Sequence, residues 1–531
     1  MFLKIAVLVL FFAVMIGVGV YCHKSASNVQ GFVLGGRNVG SWLTAFAFGT
    51  SYFSAVIFVG YAGQFGWKYG VASTWIGIGN ALIGSLLAWR LLGRRTRLMT
   101  QYLHSVTMPD FFEKRFASNA LKVAASVIVF VFLIPYTASL YNGLSRLFGM
   151  AFGIDYTWCV LGMAVLTGAY VLLGGYMATA INDFIQGMIM LVGITAVIVA
   201  VLNNNGGFSA ALSTLSQIPS DVAPQLNGAF TSFFGPQPIY LLGVVLLTSL
   251  GTWGLPQMVG KFYAIRDEAA IRKGTFISTF FAIIVAGGCY FLGGFGRLYA
   301  DVIEYSPSGT PIYDSIVPSM LQTLPDLMIG VVIILVLSAS MSTLSSLVLT
   351  SGSTLTLDIV VPATRKTGRG MNERSQLLCI RLLVLFFIAV SSVLAIVQAK
   401  SSVTFIAQLM GISWGALAGA FLAPFLYGLY SKKTTPAAVW TSFACGVGVM
   451  VGCMYCSFTG QTFISPFFTS PINAGVLAMV LGLVVVPVVS LFTRVPDKEH
   501  VAEIFSCYER EVTVHASTSL IDDDEWMQPE V

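Results

Sequence analysis

The sequence predicts an all-α polytopic membrane protein with about 13 transmembrane helices. Three observations carry that prediction. The 531 residues are 56% hydrophobic and 10% charged, against about 25% charged in a typical soluble domain, and mean hydropathy is +0.83. Apolar runs of about 20 residues, the length needed to cross a bilayer, recur along the chain. Basic residues fall in alternate connecting segments, as the positive-inside rule requires of a serpentine topology.

The first run, 2–21, carries Lys4 ahead of an apolar stretch longer than a usual signal-peptide core. It ends in the bulky Tyr21, so it reads as an uncleaved span. The others lie at about 42–62, 71–93, 119–145, 153–175, 180–202, 234–256, 274–298, 328–350, 376–398, 402–430, 436–455 and 472–493. The run 402–430 is long enough to tilt or break. With the N-terminus outside, 21 Lys and Arg collect in the inner segments, Lys261 among them, and only Lys4, Lys68, Arg146, Arg297 and Lys400 in the outer ones. The long segment from Leu202 to Pro238 holds no Lys or Arg, as expected of an external loop. The reading is a multi-pass protein of the cell (plasma) membrane with its C-terminus cytoplasmic. Residues 1–493 form the transmembrane domain and 494–531 a cytoplasmic tail. A short helix is expected around Lys498 to Tyr508, and a partly disordered end with the acidic run Asp522 to Glu525.

Composition also limits function. A net charge of +5 without a basic, aromatic-interleaved patch gives nucleic-acid binding no support. The eight cysteines, scattered mostly through apolar runs, suggest no disulfide framework, and Cys453 to Cys456 lacks a second pair or a nearby His. No His cluster, carboxylate pair or nucleophile with a base lies in the spans, so an enzyme is not expected. Gly77 to Gly84 reads as helix packing, not a nucleotide loop.

The polar interruptions point to transport. Leu337 to Ser346, LSASMSTLSS, puts Ser338, Ser342 and Ser346 on one face of a spanning helix, flanked by Ala339 and Ser345. In hydrocarbon such an edge must meet a helix, water or an ion. Phe48 to Ser54 and Thr248 to Pro256 are Gly-, Ser- and Pro-weakened stretches in two other spans. If 42–202 and 234–430 are inverted five-helix repeats, these breaks open each repeat at matching positions, which marks a site near the bilayer midplane. Asp183, near the start of the run at 180, reads either as a helix N-terminal acid complementing the macrodipole or as a carboxylate beside a cation path.

LGGR at Leu34 to Arg37, MPDFFEKRF at Met108 to Phe116, YTASLYNGLSRLF at Tyr136 to Phe148, NDFIQ at Asn182 to Gln186, LPQMVGKF at Leu255 to Phe262 and MSTLSS at Met341 to Ser346 together resemble the sodium:solute symporters, the bacterial sodium/proline symporters among them. The resemblance implies a leucine-transporter-type 5+5 inverted-repeat core, Na+ as the coupling ion (one or two) and alternating access. It further implies a main sodium site of the Thr50, Phe53 and Ala339 carbonyls with the Ser342 and Thr343 hydroxyls. A possible second sodium would lie among Asp183, Ser342, Ser345 and Ser346. Ser51, Tyr52, Ser54, Trp75, Asn80, Tyr136, Thr252, Trp253 and Gln257 are the candidate solute-binding residues. Tyr52 stands where the proline symporters carry an acid. No buried Arg or Lys is evident in the central stretches, which favours a neutral or zwitterionic solute. An amino acid such as proline is the first expectation, ahead of a sugar, sialic acid or other carboxylate. The alternative of another class is a solute-sensing membrane module without transport.

Overall fold

The computed structural model describes residues 2–368, 370–399, 406–494 and 497–509. Residues 402–405, at the head of one expected span, and the acidic run Asp522 to Glu525 lie outside the described residues. The described chain is helical, with two isolated β-bridges, Val39 to Ile265 and Tyr305 to Pro311. Nine of its helices are long and apolar enough to cross a membrane, or ten if the bent pair Pro238–Trp253 and Pro256–Ala264 is one span. Phe2–Tyr21 is helical in addition. The count falls below the expected thirteen partly because neighbouring runs merge. Tyr156–Asn204 is one assigned helix of 49 residues, about 70 Å at 1.5 Å per residue and more than twice the hydrocarbon thickness.

That helix is broken at Gly175, whose φ of 55° and ψ of −149° are non-helical. A Cβ there would come within 2.8 Å of the Phe32 carbonyl oxygen. The two runs expected at 153–175 and 180–202 therefore meet at a residue that only glycine occupies without strain. Gly175→Ala is expected to cost about 1–3 kcal/mol, read as a lower thermal-unfolding midpoint of the purified protein.

Local chemistry sets the other ends. Thr107 accepts a hydrogen bond from the Asp110 amide and caps Met108–Phe116, and Asp267 does the same for Glu268–Gly293 through the Ala270 amide. Burial would push the Asp110 carboxyl up, but Lys114 at 3.3 Å and Lys122 at 2.8 Å outweigh it and hold the group below the usual carboxylate range. Ile406–Tyr430, Pro436–Thr459 and Pro471–Phe492 pack on one another through small residues. A Cβ on Gly446 would lie 2.3 Å from the Ala420 amide nitrogen, so the backbones touch there. The expected tail helix is present as Lys498–Phe505 with a further turn to Tyr508.

Two spans are interrupted where the sequence placed weak stretches. Ser41–Tyr52 stops at Phe53, which is extended at ψ 119°, and helix resumes through Val56–Tyr61 into Ala62–Tyr69. Pro238–Leu250 gives way to a tight turn, Leu255 is extended at ψ 120°, and Pro256–Ala264 resumes at a bend of 41°. Asp326–Leu355, the serine-rich helix, runs unbroken beside the first interruption.

Candidate functional site

Where Ser41–Tyr52 ends, the carbonyls of its last turn lose their intrahelical partners and turn to the serine-rich helix. Thr343 Oγ1 donates to the Thr50 carbonyl at 3.1 Å, with the Phe53 carbonyl at 3.4 Å and the Ala339 carbonyl at 3.2 Å. Ser342 Oγ lies 3.2 Å from the Thr50 carbonyl and 3.1 Å from that of Ala339. All five residues are buried. Three carbonyls and two hydroxyls thus converge between two helices with no charged group among them. Oxygen sets of this kind replace the hydration shell of a hard monovalent cation. The Tyr170 hydroxyl, donating to the Met341 carbonyl at 2.7 Å, braces the serine-rich helix from behind.

The second expected set is only partly assembled. Asp183 is fully buried and sits eight residues beyond the break at Gly175, so the helix N-terminal role is not the one it plays. Ser345 Oγ bonds back to the Ser342 carbonyl at 2.8 Å. Ser346 Oγ lies 2.8 Å from Ser51 Oγ and accepts from Lys261 Nζ at 3.0 Å. The same ammonium is 3.7 Å from Asp183 Oδ2. The sequence expectation of no buried Lys or Arg in the central stretches is therefore overturned. Lys261, counted there among the inner-loop cations, is buried in Pro256–Ala264. A signal existed: Lys261 follows Pro256 by five residues, and proline at a helix start extends the span beyond the break.

The solute candidates divide into groups. Tyr52, Asn80 and Thr252 line a narrow space of about 10 Å³ with Phe48, Ser85 and Ser278, room for about one water molecule. Asn80 Oδ1 accepts from Ser249 Oγ at 3.1 Å, while its Nδ2 is buried without a hydrogen-bond partner among the described residues. Thr252 Oγ1 donates to the Gly84 carbonyl at 3.1 Å. Tyr52 and Tyr136 both pack against Trp414, with ring centroids 5.8 and 5.9 Å away, and Ser54 is buried at the break. Trp414 is fully buried and is absent from the sequence expectations, because hydropathy alone does not show which face of the run 402–430 looks inward.

The remaining four sit elsewhere. Ser51 faces Ser346 and not the narrow space. Trp75 donates to the Phe233 carbonyl at 2.9 Å and lines a separate apolar cleft with Phe234 and Leu241. Trp253 donates to the Ile83 carbonyl at 3.0 Å, a helix-packing role. Gln257 is buried beside Lys261 on a different cavity, its amide unpartnered among the described residues.

Comparison with known proteins gives the family. The model of the sodium:solute symporter family matches residues 32–446. The chain belongs to the sodium:solute symporter family. This symporter is 28% identical over 495 residues to the osmoregulated proline transporter OpuE of Bacillus subtilis (strain 168), covering 92% of the chain and 94% of that protein. It is 29% identical over 453 residues to the sodium/proline symporter 2 of Staphylococcus saprophyticus, covering 84% of each. A solved sodium-coupled sialic acid symporter, in a substrate-bound outward-open state, superposes with a TM-score of 0.72 at 17% identity, over 93% of this chain and 99% of that one. The symporter thus has the leucine-transporter-type fold of that structure, and it couples solute movement across a membrane to Na+.

Proposed function

We propose that the symporter imports a small zwitterionic solute, proline first, with sodium held by the Thr50, Phe53 and Ala339 carbonyls and the Ser342 and Thr343 hydroxyls. The convergence of those five oxygens at the helix break carries the sodium assignment. Sodium there ties the first broken helix to the serine-rich helix, and the narrow space lined by Tyr52, Asn80 and Thr252 widens to receive solute. That space has polar Asn80, Thr252 and Ser85 and no Arg, Lys, Asp or Glu on its walls, which suits a molecule of no net charge. The names of the two relatives, a proline transporter and a sodium/proline symporter, make proline the first candidate. Residues 1–493 are read as the transporter, with inverted repeats over 42–202 and 234–430. The basic-residue asymmetry supports an outside N-terminus and a cytoplasmic 494–531 tail in the cell membrane.

Uptake of labelled proline into proteoliposomes under an inward sodium gradient tests the reading. Accumulation that disappears when potassium replaces sodium is the expected result. Sodium-dependent thermal stabilisation by another solute, without any by proline, would displace proline. Asn80→Ala removes the free amide donor and is expected to raise the KM for proline about tenfold, the worth of one hydrogen bond to a charged group. Trp75→Ala, in the separate cleft, is expected to change KM less than about twofold.

A further inference from the structure

The chemistry around Asp183 is that of a cation site, and the cation in it is part of the chain. The carboxylate is fully buried, and among the described residues neither of its oxygens accepts a hydrogen bond. A bare carboxylate at membrane depth requires a positive partner. Lys261 Nζ supplies one at 3.7 Å from Oδ2, hydrogen-bonded to Ser346 Oγ at 3.0 Å and 5.2 Å from the centroid of the Tyr176 ring. Lys261 reaches this point because the second broken helix restarts at Pro256 and swings by 41°.

We propose that Lys261 is a tethered counter-cation that occupies the Asp183 and Ser346 position, excludes sodium from it, and so limits the symporter to the ion at Thr50, Ala339 and Thr343. A sodium bound to both Asp183 and Ser346 would stand within about 4 Å of the ammonium, where like charges disfavour one another. The tether also outcompetes a free ion on entropic grounds, since the lysine is never diluted into bulk solution. Ser51 carries the arrangement to the sodium site. Its hydroxyl meets Ser346 Oγ at 2.8 Å, and it follows Thr50, whose carbonyl is one of the five converging oxygens. Lys261 is thus a residue that sets ion number without touching solute. With one ion per cycle, the attainable solute gradient scales with the first power of the sodium gradient and not the second. A cavity of about 50 Å³, bordered by Lys261, Gln257 and Ser346, adjoins the ammonium and would admit an ion to the place it vacates.

Counting bound ²²Na+ on purified protein without solute decides the matter, and does not depend on which solute is carried. Lys261→Gln and Lys261→Met are expected to bind one more sodium per chain than the wild type. Lys261→Arg is expected to keep the wild-type count, and adding Asp183→Asn to Lys261→Gln to return it. An unchanged count in both neutral variants, each monodisperse, overturns the proposal. So does a wild-type count of two, a result that needs no variant to fold. The five-oxygen assignment fails separately, if Ser342→Ala with Thr343→Ala leaves the wild-type count intact while Lys261→Gln still gains an ion.

Discussion

Replacing Ser342 and Thr343 together by alanine is expected to remove most sodium-driven uptake at sodium concentrations that saturate the wild type. The two hydroxyls are two of the five oxygens at the break, and they are the only side-chain oxygens of that set. A hydrogen-bonding group that serves a charge is worth about 1.5–3 kcal/mol, so each substitution should raise the half-activating sodium concentration by roughly 10- to 100-fold. The pair together should raise it by roughly 100- to 10,000-fold if the effects add. Ser340→Ala is the control within the same stretch. Its hydroxyl bonds back to the Val336 carbonyl of its own helix at 2.7 Å, and less than about a twofold change is expected. Sodium titration of uptake in proteoliposomes, at matched protein amounts, reads both. An unaltered half-activating concentration in the double variant would remove sodium from this position.

The parts of the site that could be read in the sequence are those where local composition conflicts with the surrounding hydrocarbon. Hydroxyls inside Asp326–Leu355 and the Gly, Ser and Pro clusters at the two interruptions announce themselves, because each costs free energy in lipid unless something compensates. Their partnership could be inferred only through the family resemblance, since nothing local to Thr343 says that Thr50 lies 3.1 Å away. Features whose local signal is ordinary were harder to place. Trp414 looks like any aromatic in an apolar run, yet it sits between Tyr52 and Tyr136. Trp75 has the composition of a solute-pocket residue but lies on an outer cleft, because the helical rotation of Thr74–Gly79 is set by packing and not by hydropathy. Lys261 shows the limit most clearly. A lysine a few residues past a break counts as a loop cation in any tally of charges, and only the bend at Leu255 turns it inward.

That inward turn makes the stability of the Asp183 and Lys261 variants unequal in sodium. In choline buffer, Asp183→Asn and Lys261→Met should each destabilise the protein, because removing one member of a buried ion pair leaves the other uncompensated, at about 3–5 kcal/mol. For a chain of this length that is a fall of roughly 3–5 °C in the unfolding midpoint. The double variant should lie close to wild type, since the cost of burying both charges disappears along with their attraction. Sodium then separates the single variants. Lys261→Met keeps a carboxylate that a sodium ion can neutralise, so its midpoint should climb back as sodium replaces choline, following the mass-action dependence of a ligand that binds only the folded state. Asp183→Asn keeps an ammonium that no added cation relieves, so its deficit should persist beyond the shift that wild type shows. Equal deficits with equal sodium responses would mean that the pair only braces Pro256–Ala264 against the Asp183 helix. A recovery confined to Lys261→Met would mean that the lysine stands where an ion otherwise binds.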